Sequence, residues 1–464
     1  MVFGEVFQRF VERAPVAAMV NATLERVLAP ERLDTIFKEH AVRQYGRELL
    51  FSSMVHILGL AVFCIHRSVH AAYRARRDLA AVSVTALYDK LQGVEPCVAQ
   101  AMVRETAAEL QEVIGALGAE LPPPVPGLRT KILDGNCLGA TEKRLEVLRE
   151  TAAGALPGKS LVVYDPALGL AIDVFPCEDG HAQERALLDP VLATVVEDDL
   201  WIADRNFCTR GFLFGIWERG AFFLIRHHAN LSIEPQGQQQ RVGRIASGEV
   251  FEQYVRVCDK AGKEHFVRCI TLRLKKPTRD GEREIRLLTN LPISRVDALI
   301  CATLYADRWQ IETAFQTMTI ALRCEINTLG YPKAALFAFC IALLAFNALA
   351  AVRAAIRAEH GEGDEGRKQV DENLSTYYMA EELATTHEGM RIAVADAQWE
   401  IFQRLPLHDY VASMRAMARH VDLTRYQKNK RGVKKPKPKP AYDPAHPHVS
   451  TFRLLAAYAE KNIP

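Results

Sequence analysis

The stretch Leu161-Val-Val-Tyr164-Asp165-Pro166-Ala-Leu-Gly-Leu170-Ala-Ile-Asp-Val-Phe175 decides the fold. Two apolar runs rich in β-branched residues flank an Asp-Pro turn, so they read as consecutive strands. Upstream, residues 129–133 form a third short strand that ends at Asp134-Gly135. Downstream, 182–196 has helical spacing, 200–203 is a strand ending at Asp204, 209–218 is helical and 221–225 is again a strand. The order β-β-β-α-β-α-β belongs to a mixed α/β sheet with helices on its faces.

Working outward, residues 1 to about 120 show apolar positions at three- and four-residue intervals and read as helices. The run Pro122-Pro-Pro-Val-Pro-Gly127 ends them, since proline cannot continue a helix. From about 229 to 292 the pattern turns strand-rich, with strands at 254–258, 266–273 and 285–289 and turns at Lys260-Ala-Gly262 and Arg279-Asp-Gly281. One helix is expected over 295–323. Residues 334–352 carry no charge. They are Ala-rich and hold Asn347, so a buried core helix is the reading preferred over a membrane span. An acidic, Gly-rich loop follows at 361–366, then polar helices, then a Lys/Pro stretch that packs against nothing. The expected division is a helical domain over 1–121, an α/β domain over 128–358 with its β insertion at about 229–292, and a helical region over 367–464 containing the basic stretch 425–440.

The chain has 464 residues, 49% hydrophobic and 25% charged, which excludes a disordered or fibrous protein. Its net charge is +2, yet residues 425–439 hold eight basic side chains and no acidic one, leaving −6 on the rest. A concentrated cationic stretch favours a polyanionic partner. Ten dispersed cysteines without a CxxC pair or a Cys/His cluster argue for reduced thiols in a cytosolic protein and against a zinc site. The first fifteen residues lack the apolar core of a signal peptide.

The candidate chemistry lies in three acids. Asp134 and Asp204 stand at the carboxyl ends of strands, the edge where open α/β sheets build sites. Glu312 follows in Tyr305-Ala-Asp-Arg308-Trp-Gln-Ile-Glu312, where Tyr305, Arg308 and Glu312 share one helix face and Leu304, Ile311 and Phe315 mark the buried side. Three carboxylates on separate elements can hold two Mg²⁺ ions, and two such ions suit in-line displacement at phosphorus. A metal-independent two-carboxylate hydrolase is the competing chemistry. Other motifs fall away. Gly361-Glu-Gly-Asp-Glu-Gly366 is acidic and follows a helix, so it would repel a pyrophosphate; Gly158-Lys-Ser160 precedes a strand where a P-loop needs a helix; His227-His228 lacks ligand partners nearby in sequence.

The extended run Tyr305-Ala-Asp-Arg308-Trp309-Gln-Ile311-Glu312-Thr-Ala-Phe315 resembles the Y-x-x-R-W-x-I-E-x-x-F signature of DDE transposases of the YREK branch, insertion-sequence family four. Asp134 in Ile132-Leu-Asp-Gly-Asn136 is similar to the first aspartate of such enzymes, and Asp204 in Ile202-Ala-Asp-Arg-Asn-Phe207 to the second. Leu288-Thr-Asn-Leu291 and the β insertion also resemble that family, and the likeness runs from about 129 to 346. The resemblance implies a ribonuclease-H-like core with a β-rich insertion, in which Asp134, Asp204 and Glu312 are catalytic and bind two Mg²⁺ ions, with Mn²⁺ able to substitute. It implies that Tyr305 and Arg308 hold DNA phosphate, that N-terminal helices read terminal inverted repeats, and that a homodimer pairs two transposon ends before attacking target DNA. The family's lysine seven residues after the glutamate is Thr319 here, with Gln316 three earlier, and Arg323 one turn on is the expected substitute. Lys428, Lys430, Arg431, Lys434 and Lys435 are expected to attract double-stranded DNA nonspecifically. Neither a membrane nor a nucleotide cofactor is called for, and the expected location is the bacterial cytoplasm, at the nucleoid. The alternative is a DNA-binding derivative that has lost catalysis.

Overall fold

The computed structural model describes residues 4–44, 48–139, 145–149, 155–278, 281–326, 328–429 and 448–461. Its strands are β1 (Arg129–Cys137), β2 (Ala155–Leu156), β3 (Lys159–Asp165), β4 (Leu170–Cys177), β5 (Asp199–Ala203), β6 (Phe222–Arg226), β7 (Glu234–Ile245), β8 (Gly248–Cys258), β9 (Glu264–Leu274), β10 (Glu284–Thr289) and β11 (Val449–Ser450). Nine of them form one sheet in the order β4-β3-β1-β5-β6-β10-β9-β8-β7. The strands β4, β1, β5 and β6 run the same way and β3 runs against them. This mixed α/β arrangement is consistent with a ribonuclease-H-like core.

Alternation along the strands sorts side chains onto two faces. Ile132, Val162, Leu200, Ile202 and Leu224 point into a large core shared with the helices. Leu133, Val163, Trp201, Phe223 and Ile225 point into a smaller core closed by Phe212, Leu213 and Ile216 of the helix Arg210–Glu218. The charge-free segment forms the helix Pro332–His360, whose most apolar eighteen-residue window is entirely buried inside the protein. Asn347, the one polar residue in its apolar centre, bonds both the N–H and the carbonyl of Ala171 at 2.8 Å. It thereby satisfies the open edge of β4. Around this helix pack Phe51–Val62 and Pro96–Ala116 from the N-terminal part and Leu407–Ala418 from the C-terminal part. Helices from both ends of the chain therefore share one core.

The β insertion continues the main sheet, because β10 pairs antiparallel with β6. Its first strand, β7, lacks the apolar alternation that marks a strand in sequence. Among the described residues it is an exposed edge strand that pairs only with β8, and Pro235 and a register shift after Gln236 are tolerated there. Three further expectations need correction. The helix over 182–196 is a 3₁₀ turn, Glu184–Leu187, and a short helix, Leu188–Leu192, since Pro190 removes a backbone donor. The loop over 361–366 is largely taken into a helix, Gly363–Asn373, with Asp364 and Glu365 favourably placed in its first turn. The helix over 295–323 is two helices, Ala298–Asp307 and Trp309–Ala321, joined at Arg308.

Candidate active site

β1 and β5 are parallel neighbours, with Leu133 opposite Ala203. Asp134 and Asp204 come next on each, so the two acids sit side by side. Asp134 is within β1 rather than at its end, because β1 runs on to Cys137 while its partner stops at Ala203. Asp134 shares the parity of Ile132 and faces the helical side of the sheet. On that side lies the helix Trp309–Ala321, anchored through Ile311, Ala314 and Met318. Those anchors leave Glu312 on the exposed side of the helix.

Arg308 ties the acids together. Its Nη1 donates to Asp134 Oδ2 at 2.8 Å and its Nη2 to Glu312 Oε1 at 2.8 Å. The side chain is 9% exposed, and its guanidinium carbon lies 5.8 Å from the Tyr305 ring centre. Burial lowers the guanidinium pKa, but Asp134, Tyr305 and Glu312 outweigh it and the net shift is upward. Burial pushes the Asp134 carboxyl up to about 6; Arg308 and the Gly135 N–H oppose this, while the charges of Asp204 and Glu312 reinforce it. Tyr305 is buried and its hydroxyl pKa is raised by that burial.

Asp204 caps the turn Arg205–Phe207, its Oδ1 accepting the Asn206 N–H at 2.7 Å. Asn206 also donates from Nδ2 to Glu184 Oε2 at 3.3 Å, and Arg185 Nε donates to the Asn206 carbonyl at 2.9 Å. A Cβ at Gly135 would lie 2.2 Å from Glu184 Oε1, so only glycine gives that side chain its place beside β1. Sequence reading missed Glu184, Arg185 and Asn206, because their role depends on a contact across the sheet edge. His228 stands near Arg185, Arg205 and Asp204, and its pKa is lowered by desolvation first and by those arginines next. His227 Nε2 bonds the Leu231 carbonyl at 2.8 Å, a structural contact.

The remaining predicted residues lie elsewhere. Arg323 Nη1 donates to the carbonyls of His66, at 3.3 Å, and Arg67. Lys428 Nζ donates to the Glu372 carbonyl at 2.6 Å. Lys430, Arg431, Lys434 and Lys435 lie outside the described residues.

The donor set suits Mg²⁺: it is all oxygen, drawn from three elements, and carries three carboxylates for one adjacent bridging cation. Among the described residues, the trio of ligand-type side chains whose ligand atoms all fall within 4.8 Å of one another is Glu39, His40 and Glu105. The acids of the site stand wider, around Arg308.

Residues 152–348 match the model of a family described as Transposase DDE domain. The span includes Asp204, Tyr305, Arg308 and Glu312 and begins downstream of Asp134. The match supports a DDE transposase, a class of enzyme that cuts and joins DNA. No curated protein matches the chain.

Proposed function

We propose that this chain is the transposase of an insertion sequence of the YREK branch, binding terminal inverted repeats and catalysing Mg²⁺-dependent end cleavage and strand transfer. The observation that carries the reading is the convergence of Asp134 and Glu312 on one guanidinium, with Asp204 directly after the adjoining strand. In this reading Asp134, Asp204 and Glu312 are the ligands. Held by these three carboxylates, magnesium would supply Lewis-acid chemistry at phosphorus, acidifying a water or 3′-hydroxyl and offsetting charge on a leaving oxyanion. Arg308, whose planar fork fits phosphate oxygens, and Tyr305 beneath it orient the strand next to the scissile bond. Arg185 and Arg205 add positive charge along the same edge. The helical body and the basic residues after 425 bind the transposon ends, and a homodimer pairs two of them. The test is Mg²⁺-dependent cleavage of a plasmid carrying the gene with its flanking DNA. The Glu312→Gln variant should lose it; unchanged cleavage rejects the reading.

One observation favours a second reading, a DNA-binding derivative without catalysis. Thr319, at the place of the signature lysine, turns its hydroxyl back to the Phe315 carbonyl at 3.0 Å, and the Arg323 guanidinium is held by backbone carbonyls. That reading expects end binding without nicking, and a strand-transfer product excludes it.

A further inference from the structure

Arg308 has the features of an occupant that can leave. It is nearly buried, yet only one edge of its guanidinium is satisfied: the Nε atom is buried without a hydrogen-bond partner. Arg268 Nη2 and Arg357 Nη2 are also buried without a hydrogen-bond partner, so what singles out Arg308 is that the two acids it bridges are site carboxylates. It also stands at the junction of two helices. There the backbone bonds run three residues back, Arg308 N–H to the Tyr305 carbonyl and Ile311 N–H to the Arg308 carbonyl, each at 3.3 Å. A tight turn inside a helical run is a common hinge. The guanidinium sits between the first and third acids, where it pairs with both, while the charge of Asp204 also bears on Asp134.

We propose that Arg308 is the resident counter-ion of this metal centre: a positioning residue that holds Asp134 and Glu312 a guanidinium's width apart and yields its place to the divalent ion. The inference rests on the metal-centre reading given under Proposed function and goes beyond it by adding an order of events. A hard divalent ion brings more charge to the same oxygens and draws them closer than hydrogen bonding to a guanidinium does. Its entry releases the arginine fork, which is then free for a phosphate of the bound strand. The metal site and the phosphate site are thereby coupled, each favouring the other, because one side chain cannot serve both carboxylates and a phosphate.

The test is Mn²⁺ binding to the full chain without DNA, read from the free-ion electron paramagnetic resonance signal, above the titration range of the carboxyls. If Arg308 competes with the ion, Arg308→Gln binds Mn²⁺ at least about tenfold more tightly than the parent chain, a gain of about 1.4 kcal/mol. Arg308→Lys, which keeps a charge but cannot bridge both acids, falls between them and serves as a second variant if the glutamine protein does not fold. Equal or weaker binding by both variants overturns the inference. Glu312→Gln separates this failure from failure of the reading it rests on. If Glu312→Gln abolishes binding while the Arg308 variants gain nothing, the acids are still the ligands and only the competition is wrong. If Glu312→Gln leaves binding unchanged in the Arg308→Gln background, the metal centre is elsewhere and both fall.

Discussion

Strands β1 and β5 carry two ionic groups on opposite faces of the same sheet, and the two are built differently. On the smaller core's side, Lys131 Nζ meets Asp199 Oδ2 at 2.7 Å over the Trp201 ring. The side chains are 8% and 0% exposed, and the Val196 N–H donates to the same carboxylate oxygen at 2.9 Å. Charge is matched one to one and water is excluded. A few residues along β1, on the helical side, Asp134 shares Arg308 with Glu312 while Asp204 stands beside it. Negative charge is in surplus there, and Glu312 is half exposed. The first arrangement can only stabilise a fold. The second has a charge deficit that an ion from solution can fill.

The comparison breaks if the two groups respond alike to substitution. The largest effect is expected on activity: Asp134→Asn or Glu312→Gln should lower Mg²⁺-dependent DNA cleavage on the order of 10⁴-fold, about 5 kcal/mol of barrier, and the change at the half-exposed Glu312 should leave urea unfolding little altered. Lys131→Met should do the reverse. Leaving Asp199 buried and unpaired should cost about 3–5 kcal/mol of stability, read as a lowered urea midpoint by circular dichroism. If the Lys131 variant keeps full stability, the pair is not the sealed structural contact described here.

The two groups also differ in how legible they were in sequence. Asp134, Asp204 and Glu312 stand out because a strand end or a helix face carrying an acid beside apolar residues is a local pattern, and their contexts resemble a known signature. The ion pair of Lys131 with Asp199 is invisible locally, since it depends on the parallel register of β1 and β5. The same holds for Glu184 against Gly135 and for Asn347 against Ala171. The central strands were readable from their apolar runs, whereas edge strand β7 was not, because exposure frees it from the apolar pattern. The helix break at Arg308 was missed for a related reason: its residues have ordinary helical spacing, and the turn is fixed by tertiary contacts of the guanidinium.

A smaller effect sharpens the contrast. Ligand binding to the folded state alone stabilises it by about 2.7 kcal/mol at a hundredfold excess over the dissociation constant. Saturating Mg²⁺ should therefore raise the unfolding midpoint of the parent chain and of Lys131→Met by similar amounts, and that of Asp134→Asn by much less. Equal shifts in all three, followed by differential scanning fluorimetry, would mean that the ion binds somewhere else.

The smallest expected effect concerns protons, and its sign follows from the surplus of charge. The Asp134 carboxyl titrates at about 6 instead of near 3.8, because burial opposes its ionised form and the neighbouring acids add to that. In metal-free protein the folded state then binds this proton more tightly than the unfolded state does. Protonation contributes stability that is fully present below about pH 4 and is lost as pH rises through about 6, a term on the order of 1–2 kcal/mol. Other carboxyls titrate in the same window, so the quantity to measure is the difference between the parent chain and Asp134→Asn, from urea unfolding with a chelator present. That difference should change between about pH 4 and 6 and be flat above. Adding Mg²⁺ reverses the preference, since an ion competes with the proton for the same oxygens. Its stabilising effect on the parent chain should therefore fade as pH drops through about 6, whereas the stability cost of Lys131→Met should persist with or without the ion. A difference curve that is flat throughout, with Mg²⁺ stabilisation independent of pH, would place Asp134 outside the group of acids that feel one another.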